Sequence, residues 1–221
     1  MTTHEPETYW DHVYAEGDAT KSWRQPRPRV SLSAIGSALG NEREAPIIDV
    51  GGGSSTLADE LLTTGYTDVT VLDVSANALR LARERMGEAA ERVNWIAADL
   101  LQWRPDREYA LWHDRATLHF FVLESDRRRY AHVARAAIAP GGYAVIATFA
   151  PDGPTTCSGL PVHRSSPDGI AALLGAQFSL LSADHELHRT PRGAEQSFAW
   201  ALLRRNERAG LVEQDVGERR P

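Results

Sequence analysis

The chain has 221 residues, a net charge of -6 and 42% hydrophobic residues, enough for one well-buried domain. The negative balance argues against a nucleic-acid partner, which needs a concentrated basic face to displace counterions. A single cysteine, Cys157, excludes an internal disulfide and points to a reducing, cytoplasmic setting; the polar opening MTTHEPETYW has no secretory pattern, and no apolar run approaches the roughly 18 residues of a membrane span.

In chain order, residues 1–45 form a mixed N-terminal region: a helix over 7–15, the aromatic-polar loop KSWRQPRP, and a helix over 28–39. From Pro46 short apolar strands alternate with helices. PIIDV is the first strand, followed by a helix over 54–64. DVTVLDV is the second, followed by a helix over 75–86 with Ser75 as its N-cap. RVNWIAA and YALWHD are the third and fourth strands. The helix over 126–139 carries Tyr130, Val133, Ala134, Ala137 and Ile138 at i, i+3, i+4, i+7, i+8 spacing, and Pro140-Gly141-Gly142 should stop it before the strand YAVIATF. The run Arg127-Arg128-Arg129, beside Glu124 and Asp126, reads as the solvated face of that helix.

A Pro/Gly/Ser-rich loop over 150–166 leads to a helix over 168–174. FSLLSADHELH and QSFAWALLRR, joined by RTPRGAE, then read as an antiparallel hairpin. The charged tail 206–221 lacks aromatics and reads as disordered. The alternation implies a mostly parallel α/β sheet of the Rossmann-like kind, with ligands at the carboxyl ends of its strands. A terminal antiparallel hairpin is not how dinucleotide-binding domains usually finish.

The stretch IIDVGGGSSTL holds the first chemical signal. A G-x-G-x-x-G fingerprint would need glycines at 51, 53 and 56, but position 56 is threonine. Asp49, just before the turn, would repel a pyrophosphate and suit an ammonium group. Asp73, at the end of the second strand, can accept two hydrogen bonds from a ribose. Asp99, after the third, can receive an exocyclic adenine amine, with the Leu100 amide available for a ring nitrogen. Amino acid, ribose and adenine in that order describe S-adenosylmethionine.

IIDVGGGSSTLADEL, VTVLDVSANALRLARER, WIAADL and IAPGGYAVIATF, in that order, resemble the successive motifs of class I S-adenosylmethionine-dependent methyltransferases over residues 46–204. The resemblance implies a seven-stranded sheet over 46–205 with a C-terminal antiparallel hairpin, and S-adenosylmethionine as the methyl donor. It assigns Asp49, Gly51, Gly52 and Gly53 to the methionine end, Asp73 and Val74 to the ribose, and Asp99 and Leu100 to the adenine. Ser55 stands where many members have a third glycine. YWDHVYAEGDATKSWRQPRP resembles the opening of a branch containing lysine methyltransferases of elongation factor and citrate synthase. On that likeness Trp23 covers the cofactor and residues 1–45 form a lid; Trp23 packing the N-terminal helices is the competing reading.

The acceptor pocket is expected at the end of the fourth strand, in LWHDRATLHF. Asn/Asp-Pro-Pro-Tyr/Phe, typical of enzymes acting on nucleic-acid bases or glutamine, is absent there. His113 or His119 could deprotonate an acceptor, with Asp114 orienting an imidazole or holding a cation, and His113 also borders the cofactor. An Asp114–Arg115 structural pair is the alternative. Cys157 and His163 on the long loop are too irregularly spaced to indicate a metal. The expectation is a monomeric or homodimeric methyltransferase for a small-molecule N, O or S acceptor, without a nucleic-acid or membrane partner. Protein lysine is the rival acceptor. A non-catalytic S-adenosylmethionine-binding regulator and an NAD(P)-dependent reductase are the rivals of other classes.

Overall fold

The computed structural model describes residues 6–15, 17–18 and 21–207. Its elements in chain order are α1 (Pro6–Tyr14), α2 (Arg29–Leu39), β1 (Ile47–Val50), α3 (Leu57–Thr63), β2 (Val69–Asp73), α4 (Ala76–Met86), β3 (Val93–Ala97) and β4 (Tyr109–Arg115). They continue with α5 (Glu124–Ala137), β5 (Ile138–Phe149), β6 (Thr156–Cys157), β7 (Leu160–Pro161), α6 (Pro167–Leu174), β8 (Phe178–Arg189) and β9 (Glu195–Arg205). Single 3-10 turns follow α4 (Gly87–Arg92) and β4 (Leu118–Phe120). Of the tail 206–221 expected to be disordered, Asn206 is held by a hydrogen bond from its amide to the Gln177 carbonyl at 2.8 Å, and residues 208–221 lie outside the described ones.

Seven strands form one sheet in the order β3-β2-β1-β4-β5-β9-β8. The first five run parallel, and β9 and β8 close the edge antiparallel, as the hairpin pattern requires. β1 is buried along its whole length because helices cover both faces of the parallel part. Side-chain alternation divides the core in two. Ile47, Val71, Leu111 and Val145 pack with Ile35, Leu39 and Leu61 on one face. Ile48, Leu72, Trp112 and Ile146 pack with Tyr130, Val133 and Ile170 on the other.

Local signals set most of the boundaries. Ser75 caps α4 by accepting the Ala78 amide at 3.1 Å, and Ser166 caps α6 by accepting the Gly169 amide at 3.1 Å. The helix expected over 54–64 begins only at Leu57, because Gly51 to Thr56 form the turn that leaves the sheet. Pro140-Gly141-Gly142 does not separate α5 from a strand. It lies inside β5, where pairing with β4 passes from Tyr109↔Ile138 to Leu111↔Tyr143 and the extra residues bulge out. The loop over 150–166 contains the small β6–β7 hairpin. α2 contributes Ile35 and Leu39 to the core, while its first turn brings Ser31 to the sheet end.

Candidate active site

A cavity of about 730 Å³ lies at the carboxyl ends of the parallel strands, within the size range of small-molecule sites. The β1 turn supplies its floor. Gly51 and Gly53 have φ of +62° and +53°, and the Gly51 amide donates to the Leu72 carbonyl at 2.7 Å. A Cβ on Gly52 would come within 2.5 Å of Asp49 Oδ2. Backbone is therefore the only wall that fits there.

Trp23, Asp49, Gly51, Gly52, Asp73, Val74, Asp99, Leu100 and His113 all line this cavity. Gly53 does not; it shapes the turn from behind, its position facing the Tyr14 hydroxyl. Asp73 is buried and accepts the Ser75 amide at 2.8 Å. Burial, chiefly, pushes its carboxyl up to about 7 despite hydrogen bonds from the Ser75 and Gly53 amides, and the charges of Asp49 and Asp11 push the same way. Asp99 accepts the Leu101 amide at 2.9 Å and the Gln102 side chain at 2.8 Å.

Asp49 has a partner that sequence reading missed. Register sets Asp49 opposite His113 across β1 and β4. Asp49 Oδ1 lies 2.7 Å from His113 Nδ1, and His113 Nε2 lies 3.0 Å from Ser31 Oγ. A carboxylate can only accept, so Nδ1–H donates to Asp49, and in the neutral imidazole Nε2 then accepts from the Ser31 hydroxyl. His113 is thus held at both nitrogens.

Asp114 and His119, expected at the acceptor pocket, do not line the cavity. Asp114 faces α5. It accepts the Thr117 amide at 2.8 Å, the Leu118 amide at 3.1 Å and the Tyr130 hydroxyl at 2.7 Å, tying the end of β4 to that helix. Burial raises its carboxyl to about 6. His119 is fully buried between the Phe120 and Phe149 rings, with neither nitrogen hydrogen-bonded. Burial, then the Arg115 charge, lowers it to about 3, so it is neutral at working pH. Period-two alternation explains the split: 113 and 115 leave β4 on the cavity side, 112 and 114 on the α5 side. Applied to WHDR, the same rule would have chosen Arg115 over Asp114. Ser31 carried no such signal, because its place depends on how α2 docks.

The roof is aromatic. Trp23 meets Trp10 and Tyr14 edge-on, at 6.0 and 5.9 Å between ring centres. Asp11 anchors α1 to the start of α4, accepting from the Ser75 hydroxyl at 2.6 Å and the Asn77 amide at 3.1 Å. On the other side the Tyr9 hydroxyl donates to the Ser158 carbonyl in the loop after β5. Cys157 also borders the cavity, its thiol pushed up by burial. Among the described residues no group of three or more His, Cys, Asp or Glu is placed to hold a metal ion, and no helix is long and apolar enough to cross a membrane.

The profile of a family described as "Methyltransferase domain" matches residues 47–142, the span from β1 to the middle of β5. That match covers 96 of the 221 residues, somewhat less than half of the chain. A curated bovine (Bos taurus) protein, eEF1A lysine and N-terminal methyltransferase, is 26% identical over 90 residues, 40% of this chain but only 13% of the bovine protein. Among solved structures, the N-methyltransferase NodS from Bradyrhizobium japonicum WM9 with S-adenosyl-L-homocysteine matches at TM-score 0.70 and 17% identity, covering 91% of this chain and 100% of that one. A structure concerned with converting a disulfide bond into a thioacetal group in echinomycin biosynthesis also matches at TM-score 0.70, with 22% identity over 90% of this chain and 93% of that one. At these identities the solved structures show the fold alone and say nothing of an acceptor.

Proposed function

We propose that this chain binds S-adenosylmethionine and transfers its methyl group to a small-molecule N, O or S acceptor, leaving S-adenosylhomocysteine. The observation that carries the proposal is the set of Asp49, Asp73 and Asp99 along one roofed cavity, with a side-chain-free turn beside the first two. These residues fit the cofactor, since the glycine turn is a cradle that a Cβ would fill. Asp49, Gly51 and Gly52 are assigned to the methionine end, with Gly53 behind them; Asp73 and Val74 to the ribose; Asp99 and the Leu100 amide to the adenine; Trp23 to the cover. When bound, S-adenosylmethionine supplies an electrophilic methyl on a sulfonium sulfur. The chain's own contribution is to align the acceptor against that methyl and keep water out.

His113 acts in this reading as a positioning residue for Asp49. Its Nε2 lone pair is already engaged by Ser31, so any proton taken from an acceptor would pass through the Ser31 hydroxyl. Replacing His113 with glutamine should raise the KM for the donor roughly 3- to 10-fold, about the net worth of one ordinary hydrogen bond, with kcat within about threefold. Initial-rate measurements check this, and a kcat collapse with unchanged KM would make His113 a base instead.

Asp73 gives the site a pH dependence. Its carboxyl titrates near 7 in the folded protein, and ribose hydroxyls bind best to the ionised form. Affinity for S-adenosylhomocysteine should therefore rise as pH increases from about 6 to 8 and level off above. Calorimetric titration across that range with a flat profile would remove Asp73 from the binding step.

The bovine match favours protein lysine as a second acceptor class. Against it, the cavity holds the buried cation Arg115, unfavourable for an incoming ammonium. Incubation of a small-molecule extract and a protein lysate with methyl-labelled S-adenosylmethionine tests the assignment. Label in the small-molecule fraction supports it, label on protein transfers the function to lysine, and tight cofactor binding without label in either supports a binding-only protein. The single cysteine supports a cytoplasmic setting, and the acidic charge supports a partner list without nucleic acid.

A further inference from the structure

We propose that Arg115 is an acceptor-binding residue and that the acceptor carries a carboxylate. The inference deepens the methyltransferase reading above and rests on it for the location of the donor. Arg115 ends β4 on the same face as His113 and borders the cavity. Its side chain is only 9% exposed, yet Nε and Nη2 are buried without a hydrogen-bond partner, while Nη1 donates to the Trp23 carbonyl at 3.3 Å. A buried guanidinium with two donors unmet is costly, because the long Trp23 bond, the 3.9 Å Glu186 pairing and the Phe198 ring replace only part of the lost water. Nε and Nη2 are also the adjacent pair that a carboxylate bridges with two parallel hydrogen bonds.

The neighbours do not satisfy that edge, which a ligand would reach by displacing the groups that cover it. Glu186 is the nearest acid, but its carboxylate stands 3.9 Å from Nε, beyond hydrogen-bonding reach. Its two oxygens already accept from Gln25 at 2.9 Å and Trp200 at 3.0 Å. The Phe198 ring lies under the guanidinium, 4.5 Å from Cζ, and donates nothing to bridge. His119 and His188, the titratable groups beside Arg115, are both held towards their neutral forms, burial being the larger cause and the Arg115 charge the smaller. Trp10, Trp23 and Phe120 line the same cavity and suit a flat apolar body attached to the anion. An anionic acceptor would also balance the sulfonium charge of the donor, whereas a lysine ammonium would add to it.

Benzoate and its neutral counterpart benzamide are the probes. Each is titrated calorimetrically into the intact protein, with and without S-adenosylhomocysteine, for wild type, R115K and R115Q. Wild type is expected to bind benzoate saturably in the millimolar range and at least about tenfold more tightly than benzamide. R115Q should bring the two probes within about twofold of each other, and R115K, which keeps the charge but loses the fork, should fall between them. Both variants should show the circular-dichroism spectrum and cooperative melting of wild type, which reports an intact fold. No saturable benzoate binding by wild type, equal binding of the two probes, or a preference retained in both variants would overturn the carboxylate assignment. Failure of S-adenosylhomocysteine to bind wild type would instead overturn the methyltransferase reading, and the benzoate arm without it still decides the anion site.

Discussion

Replacing Asp73 with asparagine is expected to weaken S-adenosylhomocysteine binding at least about tenfold and, at pH 8, to raise the melting temperature of the ligand-free protein by several degrees. Both effects have one origin. The carboxyl is buried at the end of β2, and desolvation lifts it from 3.8 to about 7. Between those values the folded state holds a proton that the unfolded state has released. Stability from this group therefore falls as pH rises from about 4 to 7, and the full penalty, on the order of a few kcal/mol, applies above 7. Asparagine carries no charge to desolvate, and its oxygen can still accept the Ser75 amide, so the penalty disappears. At pH 4 the variant should gain little, because wild-type Asp73 is then already protonated. The same exchange removes the charged acceptor assigned to the ribose. A variant that melts higher and binds normally would refute the ribose assignment; one that melts lower at pH 8 would refute the burial argument.

Gly51→Ala is the second change with a large expected effect. Position 51 has φ of +62°, where an L-residue costs about 1–2 kcal/mol. The added Cβ would lie 1.8 Å from Thr117 Oγ1, so one of the two must move. Thr117 is not free to yield: its hydroxyl donates to the Val50 carbonyl at 3.2 Å and its amide to Asp114 at 2.8 Å. Strain and overpacking together should cost about 2–4 kcal/mol, a fall in melting temperature of roughly 5–15 °C for a chain of this size. Loss of adenosyl binding should accompany it, because the turn forms the cavity floor. Adding Thr117→Ala to the variant should recover part of the stability. A melting temperature within about 2 °C of wild type would show that the turn tolerates a side chain after all.

The roles of Asp114 and Arg115 show how far local pattern reaches. The strand YALWHD was evident from its composition, and the residues at its end were singled out as candidates for the acceptor pocket. Which of them face the cavity follows from alternation along β4, a local rule that was within reach. What no local rule supplies is the partner. Asp114 meets Tyr130 because α5 packs on that face, and Arg115 meets Glu186 because β8 returns to the sheet edge after 71 residues. Likewise Pro140-Gly141-Gly142 carries a strong stop signal, yet pairing with β4 draws the chain through it as a bulge.

By itself the sequence determined the order of the main strands and helices, the parallel sheet with its antiparallel ending, and the spacing of Asp49, Asp73 and Asp99 on which the proposed donor site rests. Those features depend on neighbours in the chain: side-chain periodicity, caps, and a turn that only glycine can make. The tertiary structure alone decided that Asp49 is held by His113 and Ser31, that Asp114 and His119 belong to the core, and that Arg115 is left buried with two donors unmet. Each of those outcomes turns on strand register and helix docking between distant segments. Burial then sets the energetic weight of every polar group, because a charge removed from water must find its partner elsewhere in the fold or in a ligand.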